Sequence, residues 1–441
     1  NHAMLIKNLR AIAKKLKQPI AIMQDLQGPK IRVGELSSTG VKLIKGQSVV
    51  LSTGVEEYNE KEKIIPVPFA ELHRVVRRGE AILLDDGLLE LKVAKIKGKK
   101  IICKVVYGGI LFSHKGINIP DAKVRIPSLT VKDIKDLEFG IKNDVDWVAI
   151  SFVQHAQDIT GLRQLITKYE KKYFPRRLPS ERTKIIAKIE KKQAVENFAG
   201  ILEAADGIMV ARGDLGIETP IQNIPLLQKE MIGKSLVAAK PVITATQMLD
   251  SMVRHPRPTR AEVTDVANAV IDHTDAVMLS AESATGKYPV KAVEIMSKII
   301  NDTEESSYDD LALENITRGG IEIDTAVSSV AARLLKNVGA KAVLVATISG
   351  YTARLVSRYR PEKPIIVAAE TEKVRRQLAL SWGVVPYVVK SCRTVDELIT
   401  EVVKIAKRER VAKQGDRVII IGGQPVGKAG NANLIKIHEV E

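Results

Sequence analysis

Six stretches of the chain share one rhythm, a short run rich in β-branched apolar residues followed by a longer segment with apolar positions at helical spacing. They are Ile20 to Leu26, Asp146 to Val153, Thr183 to Glu190, Asp206 to Gly216, Lys240 to Leu249 and Asp275 to Ala284. Near-continuous apolar runs alternating with helices predict βα units and a parallel sheet. Helix starts are marked by capping signals: Thr130 with Asp133, and Thr259 with Glu262 behind Pro258. A helical stretch, Met4 to Leu16, precedes the first run.

Between the first and second runs the rhythm changes to short alternating strands and hairpin turns. Asp86-Gly87 separates Ala81 to Leu84 from Leu88 to Val93, and Gly98 sits in a lysine-rich turn before Ile101 to Val106. This predicts an inserted all-β unit. After about Tyr308 a third section begins, with apolar runs at Ala342 to Ala346, Ile365 to Ala368, Val384 to Val389, Val418 to Ile421 and Leu434 to Ile437. The amphipathic segments Val327 to Val338 and Val395 to Lys407 lie between them, as in an open α/β domain. Asn301 to Gly320 reads as the hinge before it.

The fold class expected is therefore α/β, a TIM (β/α)8-type barrel with an inserted all-β barrel domain and a C-terminal open α/β domain. A closed barrel takes eight strands and this sequence supplies six. The opening Asn1-His2-Ala3 runs straight into a helix, so the first two strands, and the natural N-terminus, are expected to be missing. The expected division is 1–32 with 125–305 for the barrel, 33–124 for the inserted β domain and 306–441 for the C-terminal α/β domain.

Composition narrows the function classes. A chain of 441 residues with 45% hydrophobic and 27% charged residues is globular. No apolar run approaches the ~20 residues of a membrane span and no signal-peptide pattern opens the chain, so a cytoplasmic location without membrane partners is expected. Cys103 and Cys392 are far apart and the histidines scattered, which leaves no zinc-like spacing. The net charge of +16 suits nucleic acid or an acidic small substrate alike. The densest basic stretch, Lys168 to Lys192, lacks interleaved aromatics and any nucleic-acid module pattern, and reads as a solvated helix and loop.

Candidate chemistry gathers at the predicted strand ends, where barrel enzymes keep their sites. Alternation puts Lys188 and Glu190 on one face. The next strand ends in a loop Arg212-Gly213-Asp214-Leu215-Gly216. Glu190 and Asp214 offer a two-carboxylate site suited to Mg²⁺ (or Mn²⁺) that keeps waters and takes further ligands from a phosphate substrate. Gly213 lets backbone N–H groups approach an anion. Thr244 and Thr246, then Ser280 with Glu282, add hydroxyls and a carboxylate. A lysine, a divalent metal and hydroxyls, without a triad histidine or a nucleophilic cysteine, point to phosphoryl or enolate chemistry.

The whole chain resembles the pyruvate kinase family. The likeness is carried in order by Asp25-Leu26-Gln27-Gly28-Pro29-Lys30-Ile31-Arg32, Lys115-Gly116-Ile117-Asn118, Lys188-Ile189-Glu190, Met209 to Gly216, Ala245-Thr246-Gln247-Met248 and Pro256-Arg257-Pro258-Thr259-Arg260-Ala261-Glu262. It implies phosphoryl transfer from phosphoenolpyruvate to ADP, giving pyruvate and ATP, with Mg²⁺ on Glu190 and Asp214. It further implies Lys188 on the transferring phosphoryl group, and Arg212, Gly213, Asp214 and Thr246 around the substrate. Thr246 and Ser280 would belong to a proton relay, Arg32 and Lys115 to the nucleotide site, and Asp25 and Leu26 to a monovalent cation position. Lys30 stands where potassium-dependent members carry Glu. A fixed ammonium at that position implies weak or absent potassium dependence. A homotetramer is implied too.

The likeness is not complete. The family's Arg-x-Asn-x-Ser-His motif has no counterpart, while Ala281, Ser283 and Asp121 are mild departures. Activity of the chain without those opening strands is therefore an open expectation, and a truncated, catalytically silent effector-binding homologue is the alternative. Thr347, Ser349, Gly350 and Thr352 link a strand to a helix in the third section and form a phosphate cradle, where the family places a phosphorylated allosteric effector. Gly422 to Ala429 nearly matches a P-loop but lacks the metal-binding hydroxyl. The strand predicted after it, Leu434 to Val440, excludes that reading.

Overall fold

The computed structural model describes residues 2–120, 127–309, 322–389, 392, 394–425 and 432–441. Asp121, the second half of the predicted hinge, and Gly427, Lys428 and Ala429 of the P-loop-like stretch lie outside them.

All six apolar runs form strands: Met23–Leu26, Trp147–Ile150, Lys184–Ile189, Gly207–Ala211, Val242–Ala245 and Ala276–Met278. They pair in parallel and in chain order in one six-stranded sheet. Alternation divides their side chains cleanly. Val148, Ile150, Ile185, Ala187, Ile189, Ile208, Val210 and Val242 pack against the helices. Trp147, Ala149, Ile186, Met209, Ile243 and Ala245 pack together on the opposite, inner face. Burial on both faces is why charge is excluded from the middle of these strands. Both predicted caps form, Thr130 and Thr259 each accepting from the backbone N–H three residues on.

The inserted stretch folds into β structure: a pair, Val41–Leu43 with Gly109–Leu111, and a six-stranded sheet. Leu51, Leu84, Leu91, Ile101 and Leu111 lie in its core. The expected hairpin joins Ala81–Leu84 to Leu89–Lys97. Beyond the barrel strands, Val384–Val388, Ile365–Ala369, Val343–Thr347 and Arg417–Gly422 form a parallel sheet. The strand expected last, Leu434–Glu439, closes its edge, running antiparallel to its neighbour. Asn301 to Glu304, read as hinge, is instead the last turn of the helix Pro289–Glu304. The amphipathic spacing of that helix continues through the acidic residues. No helix among the described residues is long and apolar enough to cross a membrane.

The C-terminal sheet is fastened to the barrel's lower face by charge. Asp146, fully buried, accepts from Arg10 and the Ile22 N–H at 2.8 Å each and from Arg376 Nε at 2.8 Å. Asp144 pairs with Lys373 at 2.9 Å, with Arg376 at 2.8 Å and with Arg177. Burial alone would raise the Asp144 carboxyl, but Lys373, Arg177 and Arg376 hold it below the usual carboxylate range. Between these pairs, Leu380 reaches the underside of the barrel and packs against its inner apolar cluster.

Removing a buried partner leaves its cations uncompensated, so Asp146→Ala is expected to cost about 3–5 kcal/mol in urea unfolding, whereas Glu230→Ala at the exposed Lys234 pair costs less than about 0.5 kcal/mol. Because Asp144 titrates lower folded than unfolded, its stabilising share is complete above the ordinary Asp pKa of about 4. It is lost as pH falls through the lower folded value. Asp144→Asn is expected to flatten that part of the stability profile.

Candidate active site

The inner face turns polar one step beyond its apolar layer. Met23 is followed on that face by Asp25, Ala149 by Ser151 and Ile186 by Lys188. Strand neighbours bring these three together. Lys188 Nζ lies 3.1 Å from Asp25 Oδ2 and 3.0 Å from Glu190 Oε1, and donates to Ser151 Oγ at 3.0 Å. Ser151 Oγ in turn donates to the Leu26 carbonyl at 2.7 Å. Burial would lower the Lys188 pKa, but Glu190 and Asp25 more than reverse it and hold the ammonium above the ordinary lysine range.

Glu190 is 2% exposed, and its Oε2 accepts from the Phe152 N–H at 2.8 Å. Burial raises its pKa; Lys188 opposes this and Asp214 reinforces it. Two neighbouring carboxylates suit a small hard cation. Among the described residues no group of three or more His, Cys, Asp or Glu is placed to hold a metal. A cation between Glu190 and Asp214 would therefore complete its shell with water or substrate oxygens, the habit of Mg²⁺.

The predicted Arg-Gly-Asp-Leu-Gly loop is instead helical: Arg212–Glu218 starts directly after the strand Gly207–Ala211. The glycines mislead because their tolerance of turns hides a helix start. Gly213 N–H donates to Thr246 Oγ1 at 2.9 Å, and a Cβ on Gly213 would stand 3.2 Å from that hydroxyl. Arg212 donates to the Thr246 carbonyl at 2.8 Å and to Asp265 at 2.7 Å. Thr246 and Gln247 have φ of 73° and 55°, backbone that costs a non-glycine residue about 1–3 kcal/mol and persists only where held. Ser280 stands at the end of Ala276–Met278, its N–H donating to Glu282 at 2.7 Å. No hydrogen bond among the described residues joins its hydroxyl to Thr246.

The β unit leans over this mouth. Its hairpin turn, Asp85-Asp86-Gly87, faces the helix Arg212–Glu218, with Gly87 directed at Ile217. Lys30 Nζ lies 3.5 Å from Asp214 Oδ1 and 3.7 Å from Asp86 Oδ1. Asp25 is held by Lys188, and Lys30 reaches the other carboxylate. Gly28, with φ +69° and Phe152 2.8 Å from where a Cβ would be, turns the chain that way. Arg32 and Lys115 stand together at the base of the unit. Arg32 bridges Gly116 and donates to the His114 carbonyl at 2.9 Å, while Lys115 pairs with Asp85 at 2.8 Å.

Thr347, Ser349, Gly350 and Thr352 lie apart, in the C-terminal sheet. Thr347 Oγ1 accepts from the Gly350 N–H at 3.0 Å, and Thr352 is buried. Sequence reasoning missed Ser151, which one residue past a strand end could have signalled. It also missed Asp265, and the buried Glu218 that accepts from Lys191 at 2.8 Å and Asn118 at 3.0 Å. Those contacts are long-range and leave no local pattern.

Comparison with known proteins places this arrangement. Residues 1–293 match the model of the pyruvate kinase barrel domain and residues 325–438 that of the pyruvate kinase alpha/beta domain. A pyruvate kinase of Clostridium acetobutylicum is 41% identical over 438 residues, covering 99% of this chain and 90% of that protein. One of Geobacillus stearothermophilus is 42% identical over 442 residues, covering 100% of this chain and 73% of that protein. A crystal structure of a pyruvate kinase from Cryptosporidium parvum superposes with a TM-score of 0.91 at 37% identity, covering 99% of this chain and 87% of that one. With both family models matched and relatives covering nearly all of its length, the chain belongs to the pyruvate kinase family of phosphotransferases.

Proposed function

We propose that the barrel mouth performs the family's reaction, phosphoryl transfer from phosphoenolpyruvate to ADP giving pyruvate and ATP. The observation that carries this reading is the Lys188 ammonium, kept charged between Asp25, Glu190 and Ser151 at the strand ends. A transferring phosphoryl group spreads charge over its oxygens, and a fixed cation beside it stabilises the transition state more than the bound substrate. Glu190 and Asp214 hold Mg²⁺ (or Mn²⁺), which supplies charge neutralisation at the phosphoryl oxygens when bound. Gly213, Arg212 and Thr246 form one hydrogen-bonded wall that positions the substrate. Thr246 and Ser280 serve proton transfer to the carbon end of the product. Arg32 and Lys115 meet the phosphates of the nucleotide.

The division into 1–32 with 125–305, 33–124 and 306–441 assigns these roles to the barrel and to a lid that shields the transfer from water. A phosphorylated effector at Thr347, Ser349, Gly350 and Thr352, a homotetramer and a cytoplasmic location complete the reading. The family generally uses potassium as well. In this chain Lys30 brings a permanent cation to Asp214 and the mouth, which supports a weak potassium requirement. The reading of a silent homologue has nothing in its favour, since Lys188, Glu190 and Asp214 are all in place.

Three outcomes follow from these roles. Lys188→Met is expected to lower pyruvate formation by about 10²–10³-fold or more while the far-ultraviolet circular dichroism stays unchanged; near-normal turnover would remove Lys188 from the mechanism. Gly213→Ala is expected to cost about 10–100-fold in kcat/KM for phosphoenolpyruvate through the displaced Thr246 hydroxyl. In potassium-free buffer the chain is expected to keep at least about half of its maximal rate and Lys30→Glu to become potassium-dependent, so strong activation of the unmutated chain overturns the Lys30 assignment.

A further inference from the structure

The joint between the barrel's lower face and the C-terminal sheet holds more positive charge than it pairs. Around Asp206 gather Arg163 at 3.0 Å and Lys184 at 3.8 Å. Nearby, Lys240 commits its ammonium to the carbonyls of Leu202, Glu203 and Ala205 at 2.7–2.8 Å. From the other side the helix Tyr351–Ser357 brings in Arg354, with Ser357 and Arg358 on the same face. The next carboxylate, Asp275, is already taken by Arg360 at 3.1 Å and the Trp382 N–H at 3.0 Å.

Arg354 is left over. Among the described residues its guanidinium makes no hydrogen bond and no ion pair. Arg358 donates to the Val237 carbonyl and to Tyr359, yet its buried Nε has no partner. Burial pushes Arg354, Lys184 and Lys240 all below their ordinary values, and Asp206 opposes it in each case. Between them lies a cavity of about 210 Å³ lined by Leu236, Lys240, Asp275, Arg354, Arg358 and Ser381. Its enclosed part admits about one water-sized sphere. A nucleotide or sugar phosphate cannot enter it.

A half-buried guanidinium without a hydrogen bond and the buried, unpartnered Arg358 Nε, both on residues that line this small cavity, call for a compact acceptor of the opposite charge. We propose that this cavity binds a single chloride ion on the Arg354 guanidinium, the Arg358 Nε and the Ser381 hydroxyl. The walls come from both sides of the joint, Leu236 and Lys240 from the barrel, Arg354, Arg358 and Ser381 from the C-terminal sheet. A bound anion therefore fastens the two together. It neutralises the excess charge that Asp206 and Asp275 leave over.

The test is thermal unfolding of the full chain in sodium gluconate, whose anion is too bulky for the cavity. Sodium chloride or sodium phosphate then replaces gluconate at constant ionic strength. Chloride raises the Tm of the unmutated chain saturably, by about 1–2 °C once its concentration passes roughly ten times Kd; orthophosphate, too large for the cavity, serves as the control. In Arg354→Met that saturable rise is lost, and in gluconate this variant is at least as stable as the unmutated chain, because an unpaired cation has gone. Ser381→Ala weakens the apparent affinity several-fold and serves if Arg354→Met does not fold. Phosphate at the barrel mouth or the Thr347–Gly350 loop stays available in both variants, so only the difference between proteins counts. An equal rise in Arg354→Met and Ser381→Ala, or no rise in the unmutated chain, overturns the proposal.

Discussion

One ammonium must stay charged and stationary where little water reaches it, and the barrel is arranged around that requirement. Lys188 obtains its three partner residues from adjacent strands, Asp25 on Met23–Leu26, Ser151 just past Trp147–Ile150 and Glu190 just past its own strand. Strand spacing of about 4.8 Å sets how closely these groups can converge. A slip of one residue in any strand would turn its contribution outward among the helices. Register is therefore the controlling constraint, and the inner apolar layer of Trp147, Ala149, Ile186, Met209, Ile243 and Ala245 pins it.

Above that layer the contacts become weaker and more polar. Lys30 shares its charge between Asp214 of the barrel and Asp86 of the β unit at 3.5 and 3.7 Å, partly in solvent. Such pairs contribute little each, so they leave the β unit only lightly tied to the mouth. Below the layer the opposite holds. Asp146 and Lys373 are buried and densely partnered, so the lower joint is rigid where the upper one is loose.

How much of this was legible in the sequence depended on the range of the interaction. Strands, caps and the β unit were readable because periodicity and capping are local. Lys188, Glu190 and Asp214 were readable because strand ends and their alternation place them. The start of the helix at Arg212 was not, since two glycines within it weaken the helical signal. The seat of Lys30 was not either: only the fold of Gly28 against Phe152 aims its side chain at Asp214 and away from Asp25. Asp265 acts across strands and helices that the sequence separates widely, so no spacing announces it.

The contact of Leu380 with the inner cluster bears on how such chains can be inherited. That residue is a stopper made in one part of the molecule for a socket in another, and the neighbouring Lys373 and Arg376 are keyed to Asp144 and Asp146 on the socket's rim. Recombination between relatives that exchanges the C-terminal third alone brings a stopper shaped for a different socket. Stopper and socket are expected to descend together, so the two halves of this enzyme form one hereditary unit even though each carries its own sheet.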